Sequence, residues 1–161
     1  MTYNLDAKKH TLRLLHHNVA IVSAGQGSDT VGATVTWFCQ SSFDPPLVMM
    51  AVKADSRLYE AITSNQCFSA SLVAKGDKEV AAAFFRVGEW ADDTFGGFAA
   101  KAHDKGGAIL AASPAWFVCD VVKILEEGDH HIIVGQVIDT GIQDESASAM
   151  CLTETDWKYG G

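Results

Sequence analysis

Residues 32–57, GATVTWFCQSSFDPPLVMMAVKADSR, constrain this chain more than any other stretch. Two strand-like runs flank an Asp44-Pro45-Pro46 corner, and the second leads directly into a helix start at Ser56. Paired prolines fix φ and withdraw two amide donors, so the chain must turn there instead of extending a ladder. In Val31–Phe38, Val31, Ala33, Val35 and Trp37 alternate with Thr34 and Thr36, the period of a half-buried strand. Leu47–Val52 is continuously apolar and too short for a helix, which predicts a buried strand. Ser56 caps a helix to about Ser64, with Leu58, Ala61 and Ile62 on one stripe.

The remaining pattern is also strand-dominated. Asp6 is the expected cap of a helix over Ala7–His16, with Leu12 and Leu15 on one face. Asn18–Ala24 reads as a strand and Gly25–Thr30 as the turn that folds it back. Phe68–Val73 is another strand, and Asp77 is placed to cap a helix over Lys78–Phe85. Between Arg86 and Gly107 no regular element is legible, and the Gly96-Gly97 and Gly106-Gly107 pairs suggest a mobile flap. Ala115–Leu125 and His130–Asp139 read as a long hairpin, and Ala149–Thr155 as a last strand. Many short strands with few helices predict a mainly β (α+β) fold, an antiparallel barrel with peripheral helices, formed by residues 1–161 as one domain.

A formal net charge of −8 lacks the clustered cations of a nucleic-acid surface. No apolar run approaches the ~18–20 residues of a membrane helix, and a secretory leader is not expected. Cys39, Cys67, Cys119 and Cys151 contain no Cys-x-x-Cys pair, which argues against a zinc or thioredoxin-like site. Cys39, Cys67 and Cys119 sit in apolar runs, as buried free thiols do, and the cytoplasm is the expected compartment. Gly25-x-Gly27 lacks both the third glycine and the following helix of a dinucleotide loop. His16-His17 and His130-His131 are neighbours that point opposite ways on a strand, so no metal site is expected.

Positive chemistry concentrates at Ser56. A helix N-terminus offers unpaired amides and partial positive charge, and here Lys53, the Ser56 hydroxyl and Arg57 could join them around one phosphate monoester. An ordinary serine cap with solvated cations would have the same sequence. Thr34, Thr36, Gln40, Ser41 and Ser42 form a second polar cluster just upstream, or simply satisfy their own backbone.

GATVTWFCQSSFDPPLVMMAV resembles the hallmark segment of flavin reductase-like proteins with the FMN-binding split β-barrel. VKADSRLYEAITSNQCFSASLV continues that likeness in register, and ASPAWFVCDVVKILEEGDHHIIVGQV is similar to the family's hairpin carrying Gly128-Asp129-His130. The closing TDWKYGG is similar to many members' C-termini. The resemblance implies FMN, or FAD, held at a homodimer interface and reduced by NADH or NADPH. It places Ala33, Thr34, Val35 and Thr36 along the ring and ribityl chain, with Gln40, Ser41 and Ser42 at the polar edge. Ala51, Val52 and Lys53 would flank the ring, Ser56 and Arg57 would bind phosphate, and Phe85 and Arg86 would add a contact. His130 would face the nicotinamide. Ser69 and Ser71 depart from the family pattern, where Val and Asn are common.

The expected function is a flavin reductase passing hydride from NAD(P)H to flavin, supplying a partner oxygenase. The alternatives are an FMN electron carrier resembling flavoredoxin, with a redox partner protein, and a split barrel similar to pyridoxamine phosphate oxidases. Hydride transfer asks the protein mainly to bring two rings to about 3–3.5 Å, since the cofactor carries the chemistry.

Overall fold

A computed structural model of the protein describes residues 4–160. Its strands are β1 (Ala20–Ala24), β2 (Val31–Val35), β3 (Phe38–Ser42), β4 (Leu47–Lys53), β5 (Cys67–Leu72), β6 (Gly88–Ala91), β7 (Thr94–Phe95), β8 (Phe98–Ala102), β9 (Ala108–Leu110), β10 (Ala115–Leu125) and β11 (His130–Ile142). Among the described residues three α-helices accompany them, α1 (Leu5–Leu12), α2 (Arg57–Asn65) and α3 (Lys78–Ala83). The strands form one antiparallel sheet ordered β3-β4-β11-β10-β5-β1-β2-β6-β7-β8-β9. The expected antiparallel barrel is present.

Both faces of β1 are buried, and its alternation sends side chains into two cores. Val22 and Ala24 join Val35, Met50, Val52, Phe68, Cys119 and Ile133, closed on one side by Leu58 and Ile62 of α2. Val19 and Ile21 join Phe84, Phe95, Leu110 and Met150 on the other side. Ser56 caps α2 as expected, accepting from the Tyr59 amide at 3.2 Å. Cys67 and Cys119 are buried, and burial pushes the Cys119 thiol up to about 12.

Several elements differ from the sequence reading. The strand expected over Val31–Phe38 breaks at Thr36-Trp37, so β2 and β3 are separate and the Pro45-Pro46 corner closes a β3–β4 hairpin. Asn4, rather than Asp6, caps α1, accepting from the Asp6 and Ala7 amides, and the helix ends at Leu12 with no buried residue. Asp77 makes no side-chain capping bond and α3 stops at Ala83. Cys39 is exposed on β3, which is the sheet edge. Residues 149–155 give only the bridges Asn18–Cys151 and Ala74–Ala149, followed by a 3-10 turn over Leu152–Glu154.

The largest difference lies between residues 86 and 107. The segment expected to be a flap contains the β6–β8 part of a meander that continues into β9 and folds back on the barrel. Serine hydroxyls fasten this end: Ser23 Oγ donates to Ala108 O at 3.0 Å, and Ser69 Oγ to Gly106 O at 2.7 Å. Ser71 Oγ accepts from the Leu110 amide at 3.1 Å. Gly107, at φ +81°, lets the backbone come this close; a Cβ there would lie 2.7 Å from Ser69 Oγ. The two serines that depart from the family pattern therefore have a structural role in this chain.

Candidate functional site

Three strand ends converge because of sheet register. β11 runs antiparallel to β4 with His130 opposite Lys53 and Ile132 opposite Ala51, so the start of one lies beside the end of the other. The Asp129 carbonyl accepts from the Ala54 amide at 3.0 Å, and the Trp37 carbonyl accepts from the Ala51 amide at 2.8 Å. These bonds hold the β2–β3 break and the Gly128-Asp129-His130 turn against the end of β4. The positive φ of Gly128, +74°, suits the tight turn.

The resulting cavity, about 90 Å³, is lined by Ala33, Thr34, Val35, Thr36, Trp37, Ala51, Val52, Lys53, Leu58, His130 and Tyr159. A larger one of about 490 Å³ adjoins it through Ala33, Thr34, Thr36 and Tyr159, and is otherwise bordered by Val19, Phe84, Phe85, Leu152, Trp157 and Lys158. Thr34 Oγ1 donates to the Ala81 carbonyl at 2.7 Å and its amide donates to the Phe84 carbonyl at 3.0 Å. That hydroxyl is committed to holding α3 beside the cavity. Thr36 Oγ1 and Trp37 Nε1 are buried without a hydrogen-bond partner among the described residues. Buried polar atoms are ordinarily satisfied, so this wall retains capacity for a polar ligand.

His130 is enclosed. Its Nδ1 lies 3.0 Å from Asp129 Oδ1 and its Nε2 lies 2.7 Å from the Tyr159 hydroxyl. With Nδ1–H donating to the carboxylate, Nε2 of the neutral ring accepts from Tyr159. The Asp129 carboxyl is held below the usual carboxylate range by that bond to His130. Burial raises the Tyr159 hydroxyl, and the nearby Asp129 charge adds to the effect. Trp37 packs its ring on both His130 and Tyr159, at centroid separations of 4.8 and 5.2 Å. Trp37, which the strand alternation puts on one face with Val31, Ala33 and Val35, is therefore part of the site wall. Trp116 is half-buried, packed against a small core of Cys67, Ile109 and Val118 on one side and Lys101 on the other.

The α2 entrance is electrostatically self-contained. Lys53 Nζ pairs with Asp55 at 2.9 Å, and Arg57 pairs with Glu89. Ser56 Oγ donates to the Lys53 carbonyl at 2.7 Å while accepting from Tyr59. Hydrogen bonding to Asp55 raises the Lys53 ammonium, and hydrogen bonding to Lys53 lowers the Asp55 carboxyl. Both ion pairs are exposed, so a phosphate could exchange for the carboxylates at small cost.

Of the residues expected at the site, Ala33, Thr34, Val35, Thr36, Ala51, Val52, Lys53 and His130 share the smaller cavity, and Phe85 borders the larger. Ser56 and Arg57 stand just outside, at the start of α2, and Arg86 is exposed and absent from both linings. Gln40, Ser41 and Ser42 lie apart on the β3 edge, where Gln40 Nε2 donates to the Ser42 carbonyl at 3.2 Å. Sequence reasoning missed Tyr159 and Trp157 as lining residues. Their one signal was the likeness of TDWKYGG to family C-termini, which carried no role.

The sequence model of the flavin reductase like domain matches residues 12–158. A probable flavin reductase of Rhizobium meliloti (strain 1021) is 33% identical over 120 residues, 74% of this chain and 38% of that protein. The NADH-dependent flavin reductase StyB of Pseudomonas fluorescens is 30% identical over 140 residues, 86% of this chain and 79% of StyB. The solved styrene monooxygenase flavin reductase SMOB of Pseudomonas putida S12 has a TM-score of 0.70 at 30% identity, covering 83% of this chain and 86% of that one. Some curated relatives are longer: the chain spans 38% and 50% of the length of two of them.

Proposed function

The chain belongs to the flavin reductase-like domain family, and on that footing we propose that it binds FMN between β2 and β4 and passes to it a hydride from NADH or NADPH. The observation that carries this reading is the cavity where Ala33–Thr36, Ala51–Lys53 and His130 meet beside the orphaned Thr36 hydroxyl. These residues fit a flavin: apolar strand walls for a planar ring, an unused hydroxyl for its polar rim, and a helix mouth beyond Lys53 for a phosphate. When bound, the flavin supplies the hydride acceptor. FAD is the alternative cofactor, since nothing beyond the phosphate is distinguished by these residues.

The chain's own residues bind and orient. Val52 and Leu58 would exclude water from a bound flavin, and Lys53, Ser56, Arg57 and the first amides of α2 would hold its phosphate. Asp129 fixes the tautomer of His130, leaving Nε2 as the acceptor that would take the nicotinamide carboxamide. We assign Gln40, Ser41 and Ser42, on the open β3 edge with Phe43 91% exposed at its tip, to a homodimer interface where they would reach flavin from the second subunit. A solved relative named as the flavin reductase of styrene monooxygenase supports release of reduced flavin to a partner oxygenase.

His130→Ala is expected to lower kcat/KM for NADH by on the order of 10–100-fold, the scale of losing orientation at the reacting ring. FMN affinity should stay within about twofold, because His130 would face the nicotinamide rather than hold the flavin phosphate. Stopped-flow flavin absorbance and a fluorescence titration measure the two. Flavin reduction at the parental rate would remove His130 from the reaction.

A further inference from the structure

The C-terminal strap, residues 156–160, is fastened by side chains. Trp157 stands edge-on to Phe85 at 4.7 Å, Tyr159 packs on Trp37 at 5.2 Å, and its hydroxyl donates to His130 Nε2 at 2.7 Å. The Gly160 carbonyl accepts from Arg13 Nε at 3.1 Å. Among the described residues, the last backbone–backbone hydrogen bond tying this end of the chain to the rest is Thr155 N to Leu152 O, 3.0 Å. Beyond Thr155 nothing in the sheet ladder retains the segment.

Tyr159 also borders four cavities at once: the smaller one between β2 and β4, the larger one under Phe84 and Phe85, one of about 160 Å³ beside Arg13 and Thr155, and another of about 490 Å³. That last cavity lies between α1 and the Gly128-Asp129-His130 turn, where Lys8, Leu12, His17 and Trp37 line it. One aromatic ring thus separates the strand walls of the flavin site from a pocket bordered by the Lys8 ammonium, the Asp129 carboxylate and the His17 and Trp37 rings. The same ring occupies the only nitrogen of His130 that Asp129 leaves open.

We infer that Tyr159 holds the place of the nicotinamide ring, and that the strap must leave before a pyridine nucleotide can reach His130. This rests on the nucleotide reading above and adds an affinity-determining residue to it. Departure of Tyr159 exchanges ring for ring against Trp37 and exchanges its O–H donor for a carboxamide N–H at His130 Nε2. It also joins the cavities that Tyr159 borders into one cleft, with Lys8 on its lining as a cation for the diphosphate of the nucleotide. The strap therefore competes with the nucleotide: it keeps His130 dry and oriented between turnovers and raises the concentration of NADH needed to enter.

The test uses full-length protein loaded with FMN and tetrahydro-NAD as a redox-inert nucleotide. Chymotryptic cleavage of the strap after Trp157 or Tyr159, followed by mass spectrometry, should speed up at least about fivefold when the nucleotide saturates. That is the factor one neutral hydrogen bond is worth. Tyr159→Phe should tighten tetrahydro-NAD binding by about fivefold, and a chain ending at Thr155 should tighten it further, with the kinetic gain confined to KM for NADH. Cleavage that is unchanged or slowed by nucleotide would overturn the inference, as would weaker nucleotide binding in either variant. Cleavage driven by FMN alone would overturn the assignment to nucleotide. A protein that takes up FMN and oxidises NADH but keeps its strap defeats this inference only, whereas one that takes up no flavin defeats the functional reading itself.

Discussion

Phe84→Ala lowers the stability of the fold by about 3–5 kcal/mol, the range for truncating a fully buried aromatic ring. Phe84 is 0% exposed and packs against Phe95 at 5.5 Å and Phe98 at 6.4 Å. Gly88 and Gly96 have no room for a Cβ because its ring fills that space. Collapse around the vacated volume is opposed by the backbone, since the Phe84 carbonyl is pinned by the Thr34 amide at 3.0 Å. In a chain of this length the loss should appear as a fall of about 6–20 °C in Tm by circular dichroism. The same ring borders the larger cavity, so flavin affinity should weaken together with stability. A Tm within about 2 °C of the parent would mean that this core is not packed as described.

Ala51→Phe separates the site from the fold. Ala51 faces the smaller cavity from β4, and a phenyl ring there fills a space of about 90 Å³ between Ala33 and His130. Flavin affinity should fall on the order of 100-fold or more, equivalent to about 3 kcal/mol of binding free energy. The strand should survive, because Ala51 is partly exposed and β-sheets favour aromatic residues at such positions. Fluorescence titration with FMN and a thermal melt measure the two effects independently. Full flavin affinity in a stably folded variant would place the ring elsewhere.

The parts legible in the sequence are those where one local rule fixes the outcome. Pro45-Pro46 forces the β3–β4 corner, Ser56 caps α2, and the Gly128 turn opens β11. The break after Val35 was not legible, because Thr36 and Trp37 continue the alternation while the pairing of Trp37 O with the Ala51 amide ends the strand. Nor was the β6–β9 meander, whose strands are as short as two residues and rich in Gly and Ala. What orders it is long-range: Ser23, Ser69 and Ser71 hydroxyls on β1 and β5, and the Phe84–Phe95 contact. At the site, strand neighbours such as Ala33–Thr36 and Ala51–Lys53 could be placed by motif. The strap could not, since Tyr159 meets His130 across 29 positions of sequence through a contact that no periodicity encodes.

The most direct measurement adds FMN to the purified protein, removes unbound flavin, and then adds NADH or NADPH without oxygen while flavin absorbance is followed. A yellow protein that bleaches within seconds with one of the nucleotides is the expected result. Protein that stays colourless after FMN, or stays yellow with both nucleotides, contradicts the account.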